Sequence, residues 1–278
     1  MKTNTPPPRG VTITVATLNL LNDLTYWDRR GSLIVDELRR LNPDLIALQE
    51  VVFPQNTAQW INDRLEGYTL FIGPKTGRRG AREGLAVLSR LPVLDQEVRP
   101  LGHQGRVALR VAAQAAGRVL HFASAHLHWN PFSDLARASQ TRLLAEWLPQ
   151  PGIVCGDFNA EPHYRSIREF NRRFQSAHQR VHGREPDYTF PTRLFRGPAP
   201  KDAARRAALR LAGWAGKGRN VTWHGVLDYI FVDEHVKVQD CQLAFHAPAG
   251  GDARLYPSDH LGLFARLRVT DGTPVADG

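Results

Sequence analysis

The chain has 278 residues, and 42% of them are hydrophobic, so it is long enough to bury a sizeable core. No apolar run approaches the roughly 20 residues that a membrane span needs, and with only two cysteines, buried free thiols are favoured over a disulfide framework. The net charge of +9 favours an anionic partner such as nucleic acid.

The positive charge also has a second explanation. Of the 36 basic residues only five are lysine, and such a preference for arginine, together with abundant Ala, Gly and Pro, is typical of a GC-rich coding sequence. The charge therefore supports a nucleic-acid partner without establishing one.

Composition predicts one domain with short tails. Residues 1–10 are polar and Pro-rich, with no apolar stretch after Lys2, which predicts a flexible tail rather than a secretory signal. Residues 11–270 contain neither an internal repeat nor a dividing linker, and residues 271–278 are expected to form a disordered tail. The absence of a signal and the two free thiols favour a cytoplasmic protein, and we expect a monomer.

Apolar periodicity predicts the elements in chain order. Alternating or continuous apolar runs predict strands at 11–18, 45–48, 68–72, 85–88, 107–112, 118–125, 153–155, 226–232, 236–245 and 261–269. Helical spacing predicts helices at 28–41, 54–65, 134–148 and 162–174, the third packing through Leu135, Leu143, Leu144 and Trp147. The short link between 107–112 and 118–125 predicts an antiparallel hairpin, which argues for a mixed sheet or a sandwich of sheets flanked by helices.

The pattern loosens at about 183–222, where prolines interrupt it and only a short helix at 202–211 is expected. This segment is too small for a core of its own, so it is predicted to be an insertion. Its basic residues alternate with aromatic ones, which could follow a phosphate backbone and stack on bases. A solvated helix with a few aromatic anchors is an equally good interpretation.

Polar side chains stand where the predicted strands begin or end: Asn19, Glu50, His126, Asp157, Asn159, Asp228, Asp259 and His260. If these strands share a sheet, the polar groups lie on one rim. Asp157 and Asn159, two apart in an extended segment, would point to the same spot. Carboxylates crowded together require a cation, and oxygen donors with few nitrogens suit Mg²⁺ or Mn²⁺ rather than Zn²⁺. With two histidines, the set could hydrolyse a phosphate ester.

Six short motifs carry a resemblance to a known family. They are Thr17-Leu18-Asn19, Leu48-Gln49-Glu50, Ser124-Ala125-His126-Leu127, Gly156-Asp157-Phe158-Asn159, Leu227-Asp228-Tyr229-Ile230 and Ser258-Asp259-His260. In this order they resemble the endonuclease/exonuclease/phosphatase superfamily. The resemblance implies an α+β fold, a four-layered sandwich of two packed mixed β-sheets flanked by helices, and a divalent-metal phosphoesterase.

The resemblance also implies roles for single residues. Glu50 would be the principal ligand of Mg²⁺ (or Mn²⁺), with Asn19 and Asp259 completing the metal site. His260, held by Asp228, would activate the attacking water or steady the phosphate. The remaining roles are orientation of the water by Asp157, donation to a phosphoryl oxygen by Asn159, and assistance to the transition state or leaving group by His126.

Several alternatives stay open at this stage. His126 and His128 have a spacing that zinc hydrolases also use, although no Asp-His pair follows closely. Glu83 and Glu161 could support the site or face solvent, and so could Arg137 and Gln140 on the following helix. The favoured function is a phosphodiesterase acting on DNA or RNA. The alternatives are a phosphatase or phosphodiesterase for a small metabolite or lipid headgroup, and a binding module on an inactive enzyme fold.

Overall fold

The computed structural model describes residues 10–194, 224–270 and 273–274. Its first sheet has the order β11-β12-β1-β2-β4-β3. The strands are β1 (Val11–Asn19), β2 (Leu45–Val52), β3 (Thr69–Pro74), β4 (Glu83–Ser89), β11 (Val236–Ala244) and β12 (Gly262–Val269). β1 and β2 are parallel and the other neighbours antiparallel, so the sheet is mixed.

The second sheet has the order β5-β6-β7-β8-β10-β9. These strands are β5 (Val93–Pro100), β6 (Val107–Ala115), β7 (Arg118–His126), β8 (Gly152–Asp157), β9 (Gln175–Ser176) and β10 (Asp228–Val232). A two-residue strand, β13 (Thr273–Pro274), pairs with β7. β7 and β8 are parallel, whereas β6 and β7 form the predicted antiparallel hairpin.

Helices cover the outer face of each sheet. α1 (Trp27–Leu41) and α2 (Thr57–Asn62) pack on the first sheet, and α3 (Asp134–Trp147) and α4 (Arg165–Phe170) pack on the second. α5 (Ala177–His182) follows β9. A third apolar cluster fills the space between the sheets and includes the buried free thiols Cys155 and Cys241. The predicted four-layered α/β sandwich is confirmed.

The structure corrects the predicted face of α3. Leu135 is 72% exposed, whereas the buried side includes Arg137, Gln140 and Leu144. Helical spacing misled here because a buried guanidinium and a buried carboxamide occupy positions that hydropathy assigns to solvent. The sequence also did not predict the eight-residue strand β5 or the short helix α5, and α2 and α4 are each only six residues long.

The first part of the predicted insertion, up to residue 194, is described, and Phe190 forms an isolated bridge with Gly225. The predicted helix at 202–211, most of the basic segment and the first nine residues lie outside the described residues. None of the described helices has the length and apolar character needed to cross a membrane.

Candidate active site

Gly156 allows β7 and β8 to approach each other closely at the rim. Ala125 lies opposite Gly156, and His126 lies opposite Asp157. Gly156 has φ +145°, and a Cβ atom at this position would lie 1.9 Å from the carbonyl oxygen of Ala125. Glycine is therefore required there. The result is a distance of 3.3 Å between Nε2 of His126 and Oδ2 of Asp157.

A bulge in β2 places Glu50 at the same rim. The register with β4 shifts between Leu48 and Val51, and Glu50 has φ +56°, which is uncommon for a residue other than glycine. Oε2 of Glu50 accepts a hydrogen bond from the backbone N–H of Asn22 at 2.8 Å. The strand therefore delivers Glu50 in a fixed conformation, which agrees with backbone strain being concentrated at functional sites.

Glu83 joins Glu50 and His126 in one group of potential metal ligands, whose ligand atoms all lie within 4.8 Å of one another. Glu83 begins β4 and is held by an ion pair with the buried Lys75. Nδ2 of Asn22 also donates to Glu83 at 3.1 Å. The sequence alone is equally compatible with Glu83 at the site and Glu83 facing solvent. The pairing of β2 with β4, which places Glu83 opposite Val52, could have indicated its position.

Asp157, Asp228 and His260 form a second group with ligand atoms within 4.8 Å of one another. Nδ1 of His260 lies 2.8 Å from Oδ2 of Asp228, as the predicted pair requires. Burial alone would lower the pKa of His260, but the charge and hydrogen bond of Asp228, with Asp157 and Asp259 nearby, hold this pKa well above its usual value. This arrangement favours the protonated imidazole of His260, whose Nδ1–H donates to Asp228.

Asp157 is the centre of the hydrogen bonds at the rim. Its Oδ2 accepts from Nδ2 of Asn19 at 3.0 Å, and its Oδ1 accepts from the backbone N–H of Asn159 at 2.8 Å. Burial raises the pKa of Asp157 to about 7. The charge of His260 opposes this shift, and that of Asp228 adds to it. Asp157 therefore changes protonation state near neutral pH.

Asn159 is not in the extended conformation that its spacing from Asp157 suggested. Its φ is +49°, a left-handed conformation that asparagine tolerates better than most residues. Its side-chain Nδ2 donates to the carbonyl of Leu127 at 3.3 Å. The backbone turn at Asn159 thus places this residue beside Asp157, and its side chain stabilises the end of β7.

Asn19 and Asp259, the two residues predicted to complete the metal site with Glu50, also lie at the rim, and their role as ligands stays a prediction. Oδ1 of Asn19 accepts from the backbone N–H of Leu21 at 3.0 Å. Oδ1 of Asp259 lies 3.3 Å from Oγ of Ser258. Asp259 is close enough to Glu50 for its charge to affect the pKa of Glu50.

The acidic groups carry a charge excess that a cation would relieve. Burial, followed by the charges of Glu83 and Asp259, raises the pKa of Glu50, and burial also raises the pKa of Asp259. In contrast, burial and the nearby Arg106 and Lys75 hold the pKa of His126 well below its usual value. His126 is thus neutral at pH 7, the form in which imidazole can bind a metal.

The donor set fits a hard divalent cation. Carboxylate oxygens outnumber imidazole nitrogens, and both Nδ1 of His126 and Oδ1 of Asp228 are buried without a hydrogen-bond partner among the described residues. Glu50, Glu83 and His126 would hold such an ion, which would supply positive charge against a phosphoryl group. His128 belongs to neither ligand group in the described part of the chain, which gives the zinc alternative no support.

Arg137 and Gln140 are buried and shape the loop that follows His126. Arg137 donates to the carbonyls of His128 at 3.2 Å and Asn130 at 2.6 Å, and Oε1 of Gln140 accepts from the backbone N–H of His128 at 2.9 Å. The solvent-facing alternative is wrong for both. Their polar character concealed them, because sequence patterns assign arginine and glutamine to the surface.

A four-layered sandwich with carboxylates and imidazoles on one rim is the architecture of a metal-dependent phosphoester hydrolase. The model of the Endonuclease/Exonuclease/phosphatase family matches residues 16–260, and the chain belongs to this family.

Similar proteins include Nocturnin from Drosophila melanogaster, which is 28% identical over 280 residues, covering 89% of this chain and 43% of that protein. Human Nocturnin is 26% identical, with 88% of this chain and 59% of that protein covered. The chain thus spans about half the length of these curated relatives.

Two solved structures have the same fold. TDP2 of D. rerio, complexed with a single-strand DNA product, has a TM-score of 0.71 and 18% identity, with 92% of this chain and 98% of that chain covered. The human Nocturnin catalytic domain with a bound sulfate anion has a TM-score of 0.67 and 24% identity, with 94% and 99% covered.

Proposed function

We propose that the chain is a phosphodiesterase that depends on Mg²⁺ or Mn²⁺ and hydrolyses nucleic acid, acting as a cytoplasmic monomer. The observation that carries the proposal is the convergence of Glu50, Glu83 and His126 beside Asp157, Asp228 and His260 on one rim. Five of these six residues come from strands of the two sheets and His260 comes from the loop before β12, and crowding buried carboxylates costs stability unless they serve a ligand.

The groups divide the chemistry between them. The bound cation would offset phosphoryl charge, so that an anionic phosphodiester can enter a site rich in carboxylates. Asp157 would take the proton of the attacking water, since its pKa of about 7 matches a general base working near neutrality. Asn19 and the backbone N–H of Asn159 hold the Asp157 carboxylate in place.

The protonated state of His260 favours one of its two predicted roles. A histidine whose pKa is held well above its usual value by Asp228 is a poor base at pH 7, but it is a good hydrogen-bond donor to a phosphoryl oxygen. We therefore assign the Asp228–His260 pair to the phosphate and the water to Asp157.

Charge near the site supports a nucleic-acid substrate. Arg78 and Arg82 are exposed on the segment between Lys75 and Glu83, next to the first ligand group. Cationic side chains beside a phosphoesterase site would attract a polyanion. The DNA product bound to the similar TDP2 chain and the sulfate bound to the Nocturnin domain agree with an anion site in this fold.

The test is a substrate panel with single- and double-stranded DNA, RNA, a small metabolite phosphoester and a phospholipid headgroup. Each is assayed with Mg²⁺, with Mn²⁺ and with EDTA. We expect cleavage of a nucleic acid that EDTA abolishes, and an affinity that falls steeply as salt is added. Cleavage of small phosphoesters alone, or an affinity for nucleic acid that salt leaves unchanged, would contradict the nuclease proposal.

A pair of variants tests whether the named site performs the reaction. Asp157→Asn keeps the shape of the carboxylate but removes its basicity, so we expect a loss of roughly a hundredfold or more in kcat. The matched control, Asp63→Asn, changes an exposed carboxylate at the end of α2 and should leave kcat unchanged. A kcat of Asp157→Asn equal to that of wild type would show that the reaction takes place elsewhere.

A further inference from the structure

A short, mostly buried segment contacts both the strand that carries Asp228 and the loop that carries His260. It consists of residues 189–192, here called the brace, and belongs to the first part of the predicted insertion. Thr189 is fully buried and Thr192 is 6% exposed. The brace is fixed by backbone hydrogen bonds of 2.9 Å from Thr189 N–H to the carbonyl of Gly225 and from Gly225 N–H to the carbonyl of Phe190.

The hydroxyl of Thr189 holds the beginning of β10, which carries Asp228. Oγ1 of Thr189 accepts hydrogen bonds from the backbone N–H of Leu227 at 2.9 Å and of Asp228 at 3.1 Å. These two donors are buried, so each would lose free energy if left without an acceptor. The hydroxyl of Thr189 is therefore one of the contacts that fix the main chain at Asp228, together with the pairing of Asp228 with Asp157 in β8.

The brace also holds the loop that carries His260. The carbonyl of Thr189 accepts from the backbone N–H of Leu261 at 2.7 Å. Thr192 donates from its backbone N–H to the carbonyl of Asp259 at 2.8 Å, and from its hydroxyl to the carbonyl of Ser258 at 2.7 Å. The ring of Phe190 lies 4.8 Å from that of His260, centroid to centroid.

We propose that Thr189 is a positioning residue that sets the geometry of the Asp228–His260 pair. Its hydroxyl accepts a hydrogen bond from the backbone N–H of Asp228, and its carbonyl accepts one from the backbone N–H of Leu261, the residue after His260. The inference rests on the proposed phosphodiesterase function. Asp228 and His260 are 32 residues apart in sequence and share only one hydrogen bond of 2.8 Å. A misplacement of about 1 Å in such a pair costs roughly a hundredfold in rate.

The decisive variants differ only in the hydroxyl group. Thr189→Val has nearly the same shape but leaves the N–H groups of Leu227 and Asp228 without their acceptor. Thr189→Ser retains the acceptor and loses a methyl group. If Thr189 contributes only packing, Thr189→Val keeps the wild-type His260 spectrum and kcat, and Thr189→Ser is the variant that departs from them. If Thr189 positions the pair, the order is reversed.

The first measurement does not depend on catalysis. Side-chain ¹H–¹⁵N spectra of the histidine-labelled, metal-free protein report the hydrogen bond at Nδ1 of His260, whose signals are assigned by their loss in His260→Gln. We expect Thr189→Val to shift or broaden these signals and Thr189→Ser to keep the wild-type spectrum. A valine spectrum that superimposes on that of wild type overturns the proposal. If Thr189→Val does not fold, Thr192→Val on the other side of the brace takes its place, with the same two outcomes.

The second measurement uses the substrate that wild type cleaves. Thr189→Val should lower kcat about tenfold or more with KM within about twofold, whereas Thr189→Ser should restore most of kcat. In the His260→Gln background, Thr189→Val should add little, because the pair that it positions is already broken. Full additivity of the two changes would contradict the proposal.

The matched control is Thr141→Val, which removes another buried hydroxyl, one that donates to the carbonyls of Ala138 and Ser166 in the outer helical layer. It should lower stability without changing kcat. The two hypotheses fail separately: a wild-type protein that cleaves no phosphodiester overturns the proposed function, whereas an unchanged His260 spectrum in Thr189→Val overturns the role of the brace.

Discussion

Asn19 joins the two sheets of the sandwich through a single hydrogen bond, in which its side-chain Nδ2 donates to Oδ2 of Asp157 at 3.0 Å. Asn19 ends β1 in the first sheet, and Asp157 ends β8 in the second. Both side chains are buried. The contact therefore fixes the carboxylate proposed as the general base relative to the sheet that supplies Glu50.

This contact predicts that Asn19→Ala lowers kcat by roughly tenfold to a hundredfold, because Asp157 loses the donor that orients it. Asn62→Ala, at the end of α2, should leave kcat unchanged and serves as the control. The measurement is steady-state cleavage of a generic phosphodiester at saturating Mn²⁺. If Asn19→Ala retains wild-type kcat, orientation of Asp157 does not depend on Asn19.

Glu50 should limit stability when no metal is bound. Burial and neighbouring carboxylates raise its pKa, so the ionised form is disfavoured in the folded state. A carboxyl group whose folded pKa is above its unfolded value destabilises the protein progressively as pH rises past the unfolded value. We therefore expect Glu50→Gln to melt at a higher temperature than wild type in EDTA at pH 8.

The same variant should lose the response to metal. Wild type should gain thermal stability when Mn²⁺ is added, since an ion that binds only the folded state stabilises it. Glu50→Gln should show a much smaller gain and a loss of at least about a hundredfold in kcat. Glu66→Gln, an exposed position, is the control for both readouts. Equal Mn²⁺ stabilisation of wild type and Glu50→Gln would remove Glu50 from the metal site.

Glu185 provides a pH dependence away from the active site. Burial raises its pKa to about 7, although its hydrogen bond from Ser176, of 2.9 Å, opposes the shift. Because the folded protein holds this proton more tightly than the unfolded chain, the contribution of Glu185 is most favourable at low pH and is lost as pH rises from about 4.5 to about 7.

Glu185→Gln should remove that part of the pH dependence. We expect its melting temperature to exceed that of wild type at pH 8 and to be similar to it at pH 4.5, measured in EDTA so that metal binding does not contribute. Glu234→Gln, on an exposed turn, controls for the change in net charge. If the melting temperatures of wild type and Glu185→Gln differed by the same amount at all pH values, the raised pKa of Glu185 would be contradicted.

Arg137 should stabilise the loop after His126. Replacement by methionine preserves much of the apolar stem but removes the guanidinium that donates to the carbonyls of His128, Asn130 and Pro131. We expect Arg137→Met to lower the free energy of unfolding by about 3 kcal/mol, since hydrogen bonds to charged groups contribute more than neutral ones. Urea denaturation measures the change.

The control for Arg137 is Arg142→Met on the same helix. Arg142 is exposed, and its ion pair with Glu169 is 3.9 Å long, so its replacement should change the free energy of unfolding by less than about 0.5 kcal/mol. Similar losses for the two variants would show that the carbonyl contacts of Arg137 contribute little.

Apolar periodicity and the predicted hairpin indicated a mixed sheet or a sandwich of sheets, and the family resemblance of the six motifs implied its four-layered form. The gathering of polar groups at one rim was predicted from their places at the strand ends. A strand that is long enough to be buried is recognisable as a run of apolar residues, and the polar residues at the ends of such strands lie at one rim of the sandwich. The local geometry escaped prediction where tertiary contacts override propensity. Glu50 and Asn159 both have positive φ, and no pattern of alternation reveals such a bend.

Buried polar residues were the other difficulty. Glu83 was left open because a carboxylate at a strand end is usually solvated, yet Lys75 holds it beside Glu50. Thr189 lies in a segment that the sequence predicts to be an insertion, and nothing local indicates its role. Its hydroxyl accepts hydrogen bonds from two backbone N–H groups that are 38 and 39 residues away. Contacts of that range depend on topology, which residue type alone does not specify.

The two buried cysteines provide a measure of how often the two sheets of the sandwich separate. Cys155 lies two residues before Asp157 and, like Cys241, is fully enclosed in the layer between the sheets, where burial raises the pKa of both thiols. An alkylating reagent needs an accessible thiolate. The rate at which it modifies the native chain therefore measures how often the two sheets separate, without any introduced label.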